Sequence, residues 1–252
     1  MVMDFKNKVV IVTGGGQGIG ETIALNFAKL GADVAVFDLN LDTASAVANK
    51  IKAMGRKALA IKCDVASSAQ VNQAVAQVVK EMGTVDILVN NAGFVNAAPS
   101  FFTKETEDYW RKIVDVCYFG VLYCCKAVLD IMIAKKSGKI VSIASDAGRV
   151  GQSGQAVYSG AKAAVIGFSK AIAKENARYM INVNCVAPGA TATPAFMQMP
   201  PEMRQKIADS YLFKRVASTQ DVANAVAFLA SDEASYITGQ VLSVSSGYTM
   251  IG

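Results

Sequence analysis

Seven short runs rich in β-branched and other apolar residues punctuate the chain, at Lys8–Thr13, Asp33–Asp38, Ala58–Lys62, Val85–Asn90, Lys139–Ala144, Ile181–Val186 and Gln240–Val244. Between them, apolar residues recur at helical spacing near 19–30, 42–54, 67–82, 106–134, 156–179 and 219–230. Near-continuous apolar runs suit strands buried on both faces, and their alternation with helices suits a parallel sheet. With right-handed crossovers the pattern predicts an α/β fold, a doubly wound seven-stranded parallel sheet with helices on both sides. No Pro-, Ser- or charge-rich linker interrupts it, so residues 1–252 are expected to form a single domain.

Two segments break the alternation, Phe94–Phe102 and the longer 190–215, which carries Pro194, Pro200, Pro201, Met197, Met199 and Met203. Both follow strand ends, where such sheets bind ligands. The second reads either as a substrate lid near 190–215 or as helical packing against the core.

Composition narrows the partners. A chain 52% hydrophobic and only 18% charged is expected to self-associate. The net charge is +5, but the basic residues are scattered, so no nucleic-acid surface is expected. Cys63, Cys117, Cys124, Cys125 and Cys185 lack metal-ligand spacing and read as reduced, mostly buried thiols, with no metal site. The N-terminus enters a strand without a signal-peptide pattern, and no apolar run is expected to reach spanning length. The chain therefore reads as cytoplasmic, with no membrane partner.

The first strand leads into a glycine loop, TGGGQGIG at 13–20, and a helix. Gly14, Gly18 and Gly20 would let the backbone approach a pyrophosphate at the helix N-terminus, where free N–H groups favour negative charge. Asp38 ends the next strand, 18 residues after Gly20, near the spacing of a ribose-binding acid. Its carboxylate would accept from both ribose hydroxyls and repel a 2′-phosphate. No Lys or Arg stands at 15–17 or 39–40, so NAD is expected over NADP. Asp38 also reads as a turn or cap residue, a task that Asn40 and Asp42 suit equally.

With no histidine in the chain, a Ser-His-Asp triad, a Cys-His pair and a His-bearing zinc site are excluded. Acid–base work falls to Tyr, Lys, Asp, Glu or Cys. Tyr158 and Lys162 stand four apart in YSGAK and would share one face of a helix, with Ser145 upstream. A phenol with an ordinary pKa of about 10 needs help to move protons at neutral pH, and an adjacent ammonium favours the phenolate. The same spacing also occurs in ordinary surface pairs.

TGGGQGIG, Asp38, CDV at 63–65, NNAG at 90–93, Ser145, YSGAK at 158–162 and PGATAT at 188–193 together resemble the short-chain dehydrogenase/reductase family over the whole chain. The resemblance implies a Rossmann-type fold that holds NAD with Thr13, Gly14, Gln17, Gly18, Ile19, Gly20 and Asp38. Asp64 and Val65 would lie at the adenine, and Asn91, Ala92 and Gly93 at the cleft. Pro188, Gly189, Thr191 and Thr193 would hold the nicotinamide side. It assigns Tyr158 as general acid–base, Lys162 to the nicotinamide ribose and the phenolate, and Ser145 to the substrate oxygen. Family members are commonly tetramers, so a homotetramer is implied, with 106–134 and 156–179 pairing between subunits.

One residue departs from that pattern. The family usually has asparagine where IVDVCYFG places Cys117; the asparagine holds a water linking the catalytic lysine to solvent. The Cys117 backbone carbonyl would still hold the water, giving a modified relay. The thiol itself reads as inert, with a reactive Cys117 as the sharper alternative. The segment from Ser145 to Gly189 resembles cyclic hydroxyacyl-CoA dehydrogenases, such as those of 2-hydroxycyclohexanecarboxyl-CoA, and 3-oxoacyl-(acyl-carrier-protein) reductases, which generally prefer NADP. The expected substrate is a secondary alcohol or ketone, as a small molecule or a CoA thioester. Its walls are expected at 94–102, at Arg149 to Gln155, where Arg149 is a candidate for meeting a carboxylate or phosphate, and at 190–215. A catalytically inactive NAD-binding regulator is the alternative from a different class.

Overall fold

The computed structural model describes residues 3–94 and 100–250. Its seven parallel strands are β1 (Val9–Thr13), β2 (Asp33–Asp38), β3 (Ala58–Lys62), β4 (Ile87–Asn90), β5 (Gly138–Ile143), β6 (Ile181–Pro188) and β7 (Val241–Val244), ordered β3-β2-β1-β4-β5-β6-β7. Every β1 residue is buried, as an interior strand covered on both faces requires.

One face carries α1 (Gly18–Lys29), α2 (Leu41–Ala53) and α10 (Thr219–Ala230), whose Ile23, Phe27, Val47, Ile51 and Val226 pack on Val10, Val12 and Val34. The other carries α3 (Ser68–Met82), α5 (Gly120–Lys135) and α7 (Ala156–Asn176), which bury Val71, Val78, Val128, Met132 and Val165 against Ile11, Leu88 and Ile140. Side-chain oxygens cap several helices: Asn40 accepts from Asp42 N, Ser67 from Gln70 N, and Ser218 forms a reciprocal box with Asp221.

Register explains where a site can form. Thr13 pairs with Phe37, Asn90 with Ser142, Ile143 with Val186, and Pro188 with Val244. The carboxyl ends of these strands are therefore level, and their loops emerge together beside β1, where the strand order reverses.

Three features differ from the expectation. The segment expected as one helix over 106–134 is α4 (Glu107–Val114), a π-helical turn at Asp115–Phe119, and then α5. Three short helices, α6 (Asp146–Val150), α8 (Pro194–Met197) and α9 (Pro201–Asp209), occupy stretches that lack a long apolar period. The continuous helix Glu107–Lys135, 29 residues with a most apolar window of mean hydropathy 1.8, is long and apolar enough to cross a membrane by length and composition, contrary to expectation. Of that window 39% is buried within the fold, and Val121, Cys124, Cys125 and Val128 of α5 pack on the sheet.

Candidate active site

The glycine loop is built for close backbone approach. Gly14 has φ +59°, and a Cβ there would stand 2.9 Å from Ala92 Cα. A Cβ on Gly20 would overlap the Gly14 carbonyl oxygen. Asn91 holds the loop against β4 by donating its amide to Thr13 O at 2.9 Å and Gly14 O at 3.0 Å. Thr13 Oγ1 accepts from Asn91 N at 3.0 Å and Ala92 N at 3.1 Å. Gln17 makes no side-chain cap, so N–H groups of the first turn of α1, at Gly18 and Ile19, face the loop without a side-chain acceptor.

Asp38 sits where β2 meets this loop. Its Oδ2 accepts from Gly16 N at 2.8 Å and its Oδ1 from Asn40 N at 3.0 Å. The expected cap reading holds in part, since Asp38 braces the turn while Asn40 caps α2. Cys63 N donates to Asp38 O at 2.9 Å, which brings Asp64 beside it; Asp64 Oδ1 accepts from Ala66 N at 3.0 Å. Val65 is buried against Gly120.

Lys162 lies deeper, with 3% of its surface exposed. Its Nζ donates to Ile143 O at 2.7 Å and stands 5.7 Å from the centre of the Tyr158 ring. A Cβ on Gly93 would be 3.8 Å from that nitrogen. Ser145, two residues beyond Ile143, caps α6: its Oγ accepts from Ala147 N at 3.1 Å, leaving the hydroxyl proton for another acceptor. The end of β5 and the first turns of α7 thus bring Tyr158, Lys162 and Gly93 together, with Ser145 two residues past the carbonyl that Lys162 holds.

The loop after β6 closes the other side. Gly189 N donates to Val244 O at 3.2 Å, and Ala190 N donates to Tyr211 Oη at 2.6 Å. Burial raises the Tyr211 pKa. Thr191 is buried, and its neighbours pair with Ala217. Thr193 Oγ1 caps α8 by accepting from Phe196 N at 3.2 Å. Thr193 and Pro194 reach Gly18, so the 188–193 loop and the glycine loop share a mouth.

A family profile described as Enoyl-(Acyl carrier protein) reductase matches residues 14–249. The chain belongs to the short-chain dehydrogenase/reductase family. The 3-oxoacyl-(acyl-carrier-protein) reductase FabG of Staphylococcus epidermidis is 40% identical over 245 residues, covering 97% of this chain and all of the relative. The (2S)-[(R)-hydroxy(phenyl)methyl]succinyl-CoA dehydrogenase subunit BbsD of Thauera aromatica is 37% identical, covering 98% and 99%. A solved 7α-hydroxysteroid dehydrogenase, complexed with NADH and 7-oxo glycochenodeoxycholic acid, superposes with a TM-score of 0.92 at 34% identity, covering 98% and 96%.

Against the family pattern, Cys117 is fully buried in the π-helical turn. Its thiol donates to Phe94 O and accepts from Phe94 N, both at 3.3 Å, a reciprocal clasp on the residue after Gly93. Phe94 packs edge-on against Tyr109 and lies under the Lys112 ammonium. Of the expected walls, 95–99 lie outside the described residues, while Ser100 N donates to Gly154 O at 3.0 Å and joins the first wall to the second. Arg149 is not the exposed surface arginine that its position after a strand allowed, and the carboxylate it meets belongs to the protein itself. Its side chain is 11% exposed and turned inward, to Asp146 Oδ1 at 3.3 Å and Thr249 Oγ1 at 2.9 Å. Sequence reasoning missed Asp146, Tyr211 and Thr249; the only local signal was an acid directly after Ser145 with a basic residue three further on.

Proposed function

We propose that the protein is an NAD-dependent oxidoreductase that interconverts a secondary alcohol and a ketone, with Ser145, Tyr158 and Lys162 as its catalytic residues. The observation that carries this reading is the buried Lys162 ammonium, fixed to Ile143 O and set beside the Tyr158 ring and Gly93. The glycine loop fits a dinucleotide, because a Cβ at Gly14 or Gly20 would fill the approach that a pyrophosphate needs. Asp38, braced at the adenosine end by Gly16 and Asn40, supports NAD over NADP by offering a negative charge where a 2′-phosphate would stand.

When bound, NAD supplies the hydride acceptor. In oxidation the Tyr158 phenolate takes the alcohol proton, while the Ser145 hydroxyl donates to the substrate oxygen. Lys162 keeps donors beyond the one given to Ile143 O and stabilises negative charge on the phenolic oxygen. In reduction Tyr158 returns the proton. Asp64, Val65 and Asn91 to Gly93 line the cofactor cleft, and Pro188 to Thr193 its nicotinamide end.

For the substrate, the similarity to BbsD supports a hydroxyacyl-CoA thioester, with a cyclic compound such as 2-hydroxycyclohexanecarboxyl-CoA as one member of the class. Exposed Met197 and Met203, on α8 and α9, support a closing lid at 190–215. The similarity to FabG favours a second reading, reduction of a 3-oxoacyl-(acyl-carrier-protein). Exposed Phe119, Leu242 and Tyr236 support self-association, as a homotetramer, and a concentration-independent monomer in sedimentation would contradict it.

The test is kcat/KM over cyclic alcohols, 3-hydroxyacyl thioesters and cyclic hydroxyacyl thioesters, each with NAD and NADP. A preference for NAD and a CoA-dependent gain agree with the first reading. A preference for NADPH and acyl-carrier-protein substrates selects the second. Dinucleotide binding without turnover on any of them would point to a regulator.

A further inference from the structure

We propose that the Asp146–Arg149 ion pair is a positioning device through which the segment Ser243–Thr249 sets the geometry of Ser145. The inference rests on the alcohol–ketone reading for the task of Ser145.

Asp146 follows Ser145 directly and Arg149 lies one turn further, with side chains 4% and 11% exposed. Asp146 Oδ1 also accepts from Ser243 Oγ at 3.0 Å, and Ser243 shares a 2.7 Å hydrogen bond with Ser245. Asp146 Oδ2 is buried without a hydrogen-bond partner. Desolvating such a pair offsets much of its attraction, so stability alone is a poor reason for placing it here. What the pair provides is direction: a guanidinium that reaches a carboxylate and Thr249 together fixes the spacing between them.

That spacing matters because α6 has only five residues, too few to hold itself as a helix. It is held from two sides. Gly148 lies flat on α7, where a Cβ would come within 2.7 Å of the Lys162 carbonyl carbon. On the other side, Arg149 ties it to Thr249. The same C-terminal segment supports the nicotinamide-side loop: Val244 O accepts from Gly189 N, and the Tyr248 ring stacks on Tyr211 at 4.8 Å. Tyr211 Oη in turn accepts from Ala190 N. One stretch, Ser243–Thr249, thus braces both the serine that meets the substrate oxygen and the loop that faces it. Arg149, Asp146 and Thr249 act through Ser145 and are positioning residues.

The experiment compares Arg149→Met, Arg149→Lys and Thr249→Val in the full-length protein. Each is assayed for kcat and KM at saturating NAD, for NAD affinity by titration calorimetry, and for amide hydrogen exchange at 145–150. Arg149→Met is expected to lower kcat about 100-fold, the scale of a small misplacement at a reacting centre. Thr249→Val should lower it several-fold and Arg149→Lys should restore part of the loss, with NAD affinity held in all three. Exchange should quicken at 145–150 in Arg149→Met and Thr249→Val, and this is read whether or not a substrate is known. Unchanged exchange at 145–150 in Thr249→Val overturns the coupling, as does a kcat loss matched by an equal loss of NAD affinity. Absent turnover in the unsubstituted protein, with quickened exchange in the variants, would instead contradict the alcohol–ketone reading and leave the brace standing.

Discussion

The two sides of the cleft are made differently. On the side proposed for the nucleotide, the backbone sets the shape: Gly14 and Gly20 leave room, Asn91 and Thr13 lock the loop, and backbone N–H groups hold the carboxylates of Asp38 and Asp64. On the side proposed for the substrate, the short helices α8 and α9 present exposed Met197 and Met203, the turn after α9 presents exposed Leu212 and Phe213, and a thiol rather than an amide clasps Phe94. A dinucleotide is constant and rewards a rigid cradle, while an apolar mouth of flexible side chains can be reshaped without disturbing it.

The contrast is broken most sharply at Gly20. Gly20→Val should raise the Kd for NAD at least about 100-fold, or ~2.7 kcal/mol, because the side chain must displace the Gly14 carbonyl. Titration calorimetry checks this; near-normal affinity would show that the loop yields. On the other side, Met203→Ser should leave NAD affinity unchanged and alter kcat/KM by less than about tenfold, by an amount that differs between substrates. An equal change for every substrate would remove the lid from specificity.

Asp38→Ser sharpens the comparison within the nucleotide side. Removing the carboxylate should raise kcat/KM with NADP about tenfold or more relative to NAD, since a charge no longer faces the 2′-phosphate. Cys117→Asn probes the clasp: an amide also carries a donor and an acceptor, so turnover should be kept or raised. Lost activity with NAD binding intact would make the thiol itself functional.

The smallest effect concerns the core beneath both sides. Burial pushes the thiols of Cys63 and Cys185 up to about 11 and that of Cys125 up to about 12, from an ordinary 9.0, and raises Cys124 well above it. Between pH 9 and about 11 these thiols therefore hold protons in the folded protein that they lose in the unfolded chain, so their contribution to stability falls as pH rises through that window. Urea unfolding at pH 8 and pH 10 reads the sign; serine at 63 and 185 should flatten the slope.

Legibility followed the same divide. The seven-stranded parallel sheet and the placing of Gly14 and Asp38 at strand ends were open to a reader of the sequence, because near-continuous apolar runs alternating with helices fix such a sheet and where its strands end. The inward turn of Arg149 was not, since its partner Thr249 lies 100 residues away and no local pattern announces the pairing. The π-helical turn at Asp115–Phe119 was hidden for a related reason: the apolar period runs through it unbroken, and only the packing of Cys117 against Phe94 marks the place. That the helix expected over 106–134 is also long and apolar enough to cross a membrane escaped a reading of apolar runs, because Asp115, Lys126 and Asp130 interrupt them without lowering its mean hydropathy enough.

The central claim is that Tyr158 moves the proton while the glycine cradle holds the nucleotide, and one measurement addresses it directly. NADH formation from a panel of secondary alcohols and hydroxyacyl-CoA thioesters is followed with the unsubstituted protein and with Tyr158→Phe, alongside NAD binding to each. The expected result is a fall in kcat of about 1,000-fold in the variant with NAD affinity kept within about threefold, as befits loss of a general acid–base. Turnover that survives the loss of the Tyr158 hydroxyl would contradict it.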